Sequence, residues 1–168
     1  GVIAYQYSAT KTGRLAISPT ESVTALDGIE IDPELSPNHK WLLFRHKENM
    51  NNATYQLYLA PWLDGKSANV AINLTQDEHL YSNAVWGKNS DEIFAVKQTQ
   101  SPRNCAIVKL ALNRFHSKVA AEIKLKNCHG HGSTTLVYHE NTNSLFFTDL
   151  QNEPSYSLYQ LALNNNEI

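Results

Sequence analysis

The densest group of chemically able side chains is Cys128-His129-Gly130-His131, followed downstream by His139. A thiolate and imidazoles this close together can chelate a transition metal. A structural zinc, however, takes four protein ligands at ordered spacing. The group reaches that number only if Cys128 is available, and the chain's other cysteine, Cys105, gives Cys128 a different role. His129, His131 and His139 are then what remains for a metal. The segment reads as a glycine-rich loop with solvated histidines, and no metal or other cofactor is assigned.

That role is a disulfide. Cys105 and Cys128 are equidistant from a hairpin centred between residues 116 and 117. The same centre sets Val108 opposite Leu125, Leu110 opposite Ile123 and Leu112 opposite Ala121, all apolar and on one face. Lys109 with Lys124 and Ala111 with Glu122 fall on the other face. A slip of one residue would mix the two faces, so the segregation argues for the register. Directly paired strands bring Cα atoms to about 4.5–5.5 Å, within disulfide range. A disulfide implies an oxidising compartment.

Other groups carry less chemistry. Asp27, Glu30, Asp32 and Glu34 lie close together, and glycoside hydrolysis needs two carboxylates held across a bond. Strand alternation puts Glu30, Asp32 and Glu34 on one face, opposite Ile29, Ile31 and Leu35, which predicts a solvated charged face. Trp62 follows Pro61 and precedes the turn signal Asp64-Gly65. That context predicts a loop tip, where an exposed indole suits a partner contact. His39 and His46 flank an apolar strand and read as turn or surface residues. The chain has no Gly-x-Ser-x-Gly, no phosphate loop and no His-Glu-x-x-His. No catalytic residue is assigned, and the expectation is a protein that is not an enzyme.

The elements that must position these residues repeat along the chain. Ser36-Pro37-Asn38-His39-Lys40 is a polar turn leading into the apolar Trp41-Leu42-Leu43-Phe44. The shape returns at Trp86 to Phe94 and at Tyr138 to Phe147. Pro37, Gly87 and His139 hold matching places, 50 and 52 residues apart. A fixed period in this range signals a repeat architecture. The units run roughly over 29–80, 81–132 and 133–163, with a partial unit over 1–28. In the first, strands are expected at 31–35, 41–46, 55–60 and 68–74. In the second they are expected at 82–86, 92–97, 105–112 and 119–126. In the third they fall at 134–138, 144–149 and 156–163. Val2–Tyr7 and Arg14–Ser18 form an N-terminal hairpin, either strand of which is placed to complete the third unit. Residues 21–27 read as a connector. Trp41, Leu43, Val85, Ile93, Ala95, Leu136, Leu145, Phe147, Leu158 and Leu161 are the expected core. The fold class is all-β: one domain forming a partial or small β-propeller of about three four-stranded antiparallel blades plus the hairpin.

At 168 residues the chain can bury a real core. A net charge of -2 gives no electrostatic footprint for nucleic acid or anionic lipid. Gly1-Val2-Ile3 lacks an initiator Met and reads as the start of an excised domain, with a membrane anchor or other domains expected outside this stretch.

The repeat resembles the TolB-type propeller unit, in which a Trp-Ser-Pro-Asp-Gly-like turn, a Leu-Tyr strand and a Leu-Thr close follow one another. The counterparts here are Leu35 to Trp41, Leu57-Tyr58 and Asn73-Leu74-Thr75, then Val85 to Asn89, then Leu158-Tyr159 after a degenerate turn at His139-Glu140-Asn141. The likeness covers roughly Ile29 to Leu163. It implies a periplasmic sensing or protein-binding domain, such as the outer part of a CadC- or ToxR-like membrane-anchored transcription regulator. Its partner would be another protein or a second copy, as in a homodimer, with DNA contacts made by a separate domain. The alternatives are a TolB-like envelope binding protein and the propeller portion of a hydrolase. Propeller-bearing peptidases resemble these repeats but keep their serine triad on another domain.

Overall fold

Leu42-Leu43-Phe44 and Ile93-Phe94-Ala95-Val96 are unbroken apolar runs. Successive side chains in a strand point to opposite faces, so an unbroken run belongs to a strand covered on both sides. The whole architecture follows from that requirement. The computed structural model describes residues 5–7, 14–18, 21–22, 24–51, 54–63, 66–67, 70–99, 104–129, 134–152 and 155–163. Among them there is no α-helix, and the helical content is one 3-10 turn at Glu140–Thr142.

Strands β1 (Tyr5–Tyr7), β2 (Arg14–Ser18) and β3 (Glu21–Ser22) form a small antiparallel sheet. Strands β4 (Ile29–Leu35), β5 (Trp41–Lys47) and β6 (Gln56–Leu63) form an antiparallel meander. Two short strands share its outer edge: β7 (Lys66–Ser67) pairs with Trp62 and Leu63, and β8 (Ile72–Asn73) pairs with Tyr58 and Leu59. Strands β9 (Leu80–Trp86), β10 (Glu92–Gln98), β11 (Cys105–Leu112) and β12 (Val119–Cys128) make a four-stranded meander. Strands β13 (Leu136–His139), β14 (Ser144–Asn152) and β15 (Ser155–Ala162) make the last, three-stranded sheet. The first strands of successive sheets lie side by side, β1 and β2 against β4, β4 against β9, and β9 against β13.

The buried apolar side chains form three cores. Leu42 and Phe44 of β5 join Ala60 and Trp62 of β6 on one face of the second sheet. Leu43, Leu57 and Leu59 point the other way and meet Trp86, Ile93, Ala95, Val108 and Leu110. Phe94, Val96 and Ile107 leave the far side of the third sheet and meet Leu136, Leu145 and Phe147. Each central strand thus feeds two cores by alternation. The opposite face of the last sheet carries Val137 at 52% and Leu158 at 72% exposure. Leu158 is therefore not core, contrary to expectation, because it lies on the face that no other sheet of the described residues covers. Trp41, Val85 and Leu161 are half-buried.

The repeated turn has a clear local cause. The Ser36 hydroxyl donates to Asn38 Oδ1 (2.8 Å) and accepts from the Trp41 amide (3.0 Å), while the Lys40 amide donates to Asn38 Oδ1 (3.0 Å). Such side-chain bonds to nearby backbone are what Ser and Asn offer in turns. The Asn38 amide then donates to Ser90 Oγ (3.0 Å), tying this turn to its counterpart in the next unit.

Three expectations change. The N-terminal strands pair with each other and with β3 inside the supposed connector, beside β4, and do not complete the last sheet. Of the strand expected over 68–74, residues 68 and 69 lie outside the described residues and the rest contributes β8, with β7 on the same edge. The β11–β12 hairpin keeps the expected register only from Cys105 to Ile107. Beyond it Val108 faces Lys124, Leu110 faces Glu122 and Leu112 faces Val119. The turn closes where the Asn113 amide donates to the Lys118 carbonyl (3.1 Å), tighter than the cysteine register requires. Unpaired Leu125 and Ala120 absorb the difference as bulges on β12.

Candidate functional site

The bulges decide what faces the space outside β11 and β12. Where an unbroken register would set Leu125 and Ile123, it is Lys124 and Glu122 that stand opposite Val108 and Leu110. An open cleft of about 640 Å³ lies there. Ala106 and Val108 supply its apolar lining, and His79, Lys97, Glu122, Lys124, Asn127 and His129 its polar groups, with both cysteines at one end. Most side chains along β12 are exposed or half-buried.

One wall of the cleft is an ion network. Lys97 Nζ donates to both oxygens of Glu122 (3.1 and 2.9 Å) and lies 3.3 Å from Asp77 Oδ2. Asp77 also accepts from the Tyr81 hydroxyl (3.0 Å) and the His79 amide (3.0 Å), and His79 Nδ1 is 3.2 Å away. Burial pushes the Asp77 carboxyl up, but these donors and the Lys97 charge prevail and hold it below its usual value. Burial pulls Lys97 down, but Glu122 and Asp77 overcome it and hold the ammonium above its usual value. Tyr81 is raised by burial and by the Asp77 charge.

The other wall is His129. Its backbone amide donates to Asp149 Oδ1 (2.6 Å) and its Nδ1 lies 3.5 Å from Asp149 Oδ2. Asp149 is fully buried, while the His129 side chain is 63% exposed. Nothing in the sequence marked Asp149, since it lies 20 residues from its partner on another sheet. Cys105 and Cys128 face each other across β11 and β12 with Cα atoms 4.9 Å apart and are bonded as a disulfide.

The other site residues scatter. His131 lies outside the described residues. His139 points elsewhere, its Nδ1 2.9 Å from Thr142 Oγ1 and its ring edge-on to Phe146. No group of three metal-ligating side chains occurs among the described residues. Trp62 is not at a loop tip: it is 5% exposed, inside the core on one face of the second sheet. Strand β6 continues through Pro61, and the Trp62 amide donates to the Lys40 carbonyl (2.7 Å), so the strand ends only at Leu63.

Of the carboxylates expected on a solvated face, only Asp32 is exposed. Glu30 is fully buried and accepts from the Thr24 hydroxyl. Asp32, at a positive φ of 54°, pairs with Arg45 on β5. Burial pushes Glu34 up to about 7 against the opposing bond from the Trp86 backbone. Strand β4 is an inner strand, and the register shift between Ile31 and Glu34 turns Glu30 and Glu34 to opposite faces, each against protein. Gly28 precedes it at φ 126°, where a Cβ would collide with the Lys47 carbonyl and the His46 ring. His46 is buried, with Nε2 2.9 Å from the Asp27 carbonyl.

A second, shallower cleft of about 560 Å³ lies between the two linked turns, lined by Asn38, Lys88, Asp91 and His116. His116 stacks on Trp41 at 4.9 Å.

No protein-family model matches the chain, and no curated protein does. Among solved structures it is similar to a puromycin-hydrolyzing peptidase of Mycobacterium tuberculosis, with a TM-score of 0.63 and 14% identity. The likeness covers 96% of this chain and 29% of the peptidase, so this chain spans less than a third of that protein's length. At that identity the likeness is one of fold.

Proposed function

We propose that the chain is part of a β-propeller of the TolB-like kind and works without catalysis, as a periplasmic sensing and binding domain with the β11–β12 cleft as its ligand site. The observation that carries this reading is the cleft itself. It is a concave, polar-walled space with an apolar lining, held in shape by a disulfide, a buried aspartate and an ion network. Binding sites combine such a space with a few fixed polar groups. The meander sheets, their first strands side by side, support the propeller reading. The setting that fits best is the outer domain of a membrane-anchored transcription regulator, with a protein or a second copy as partner and DNA contacted by a separate domain.

The peptidase likeness favours a second reading, the propeller portion of a hydrolase that positions or gates substrate. The full reading frame separates the two. A winged helix and one membrane span on the N-terminal side support the sensing role. A serine hydrolase domain on the C-terminal side overturns it.

A further inference from the structure

We infer that the β11–β12 cleft takes a small organic anion, with Lys124 as its charge partner and Asn127 and His129 as its hydrogen-bonding groups. This rests on reading the cleft as a binding site and adds the class of ligand. The first argument is register. Asn127 stands opposite Ala106 in the unshifted register, and leaving Leu125 unpaired brings Lys124 opposite Val108, so both line the same space. The second is charge. Lys97 is bound to Asp77 and Glu122, and Glu122, the carboxylate lining the cleft, is held through both oxygens. Lys124 is exposed and makes no ion pair among the described residues. Lys124 is therefore the cleft lysine left to meet a ligand carboxylate, because Lys97 is taken up by Asp77 and Glu122.

The third argument is preorganisation. Asp149 holds both the backbone amide and the Nδ1 edge of His129, which turns Nε2 away from the carboxylate. A ring fixed in this way loses little freedom when it meets a ligand. The fourth is the lining: Ala106 and Val108 offer carbon rather than donors, which suits an organic body more than a hydrated inorganic ion.

Amide NMR of the isotope-labelled chain, titrated with butyrate, inorganic phosphate and butylammonium, tests this. Butyrate is expected to give saturable shifts at Ala106, Lys124, Asn127 and His129. Lys124→Gln should weaken it about tenfold or more, the loss of a hydrogen bond to a charged group. Lys88→Gln, on the distant turn, should leave it unchanged. Linear shifts without saturation, equal binding of phosphate or butylammonium, or indifference to Lys124→Gln would each overturn the inference. The two readings fail separately. Butyrate binding in a chain that proves part of a hydrolase overturns the sensing role alone. A regulator whose cleft does not respond overturns the anion site alone.

Discussion

Replacing Glu34 with Gln should make the protein more stable at alkaline pH and change little at acid pH. The Glu34 carboxyl is raised from 4.5 to about 7 chiefly by burial on β4. A group whose folded value is raised gives stability that is fully present below its unfolded value and lost as pH rises through the folded one. Wild-type stability should therefore fall from pH 4.5 to above 7. Moving the midpoint of a titration by a full pH unit takes about 1.4 kcal/mol. Glu34 keeps some contact with water, so a discounted loss of roughly 1–2 kcal/mol is expected. Gln keeps the shape and cannot ionise. In a chain this long, 1 kcal/mol moves Tm by about 2–4 °C. Melting followed by circular dichroism from about pH 4.5 to 8.5 at fixed ionic strength should show Glu34→Gln gaining on the wild type above pH 7. Asp77 stays out of this window, because its lowered carboxyl loses stability only as pH falls below its usual 3.8. A constant gap between the two proteins across the range, or one that favours the wild type as pH rises, would refute the burial argument.

Leu43→Ala and Phe94→Ala should each lower stability by about 2–5 kcal/mol in urea unfolding, while Leu158→Ala should stay within about 0.5 kcal/mol. Equal midpoints for all three would contradict the stacked cores. Cys105→Ser with Cys128→Ser should cost about 3 kcal/mol, since the bond closes a loop with a sequence separation of 23. A non-reduced peptide map checks the bond, and free thiols in protein prepared without reductant would refute it. Trp62 should resist quenching by acrylamide, and Trp62→Ala should cost about 3–5 kcal/mol. Ready quenching of an indole that Trp62→Ala removes would restore the exposed reading.

The strands were legible because their sequence signals are local. A polar turn followed by Leu42-Leu43-Phe44 or Ile93-Phe94-Ala95-Val96 needs no tertiary knowledge to read. The cysteine pairing was legible for a similar reason, as the register near residues 105–107 holds. What failed depended on neighbours. Glu30 and Glu34 alternate like a solvated face, but the register shift between Ile31 and Glu34 turns them to opposite sides of an inner strand, each against protein. Pro61 suggested an end to β6, although the next amide finds the Lys40 carbonyl. The bulges at Leu125 and Ala120 leave no mark in an apolar pattern that looks better without them. The cleft they create, and the Asp149 that fixes one wall, were therefore hidden.

Alternation between cores also separates sequence distance from energetic distance. Leu42 and Leu43 are adjacent in the chain yet belong to different compartments. Leu43 and Leu110 are far apart in the chain yet share one. Mutational effects add when sites share no partners and interfere when they do. In a double-mutant cycle, the neighbours Leu42 and Leu43 should behave nearly as strangers, and Leu43 with Leu110 as a coupled pair. Substitutions in one strand would then be compensated across the gap between sheets, and covariation in this chain should run from sheet to sheet more strongly than along the backbone.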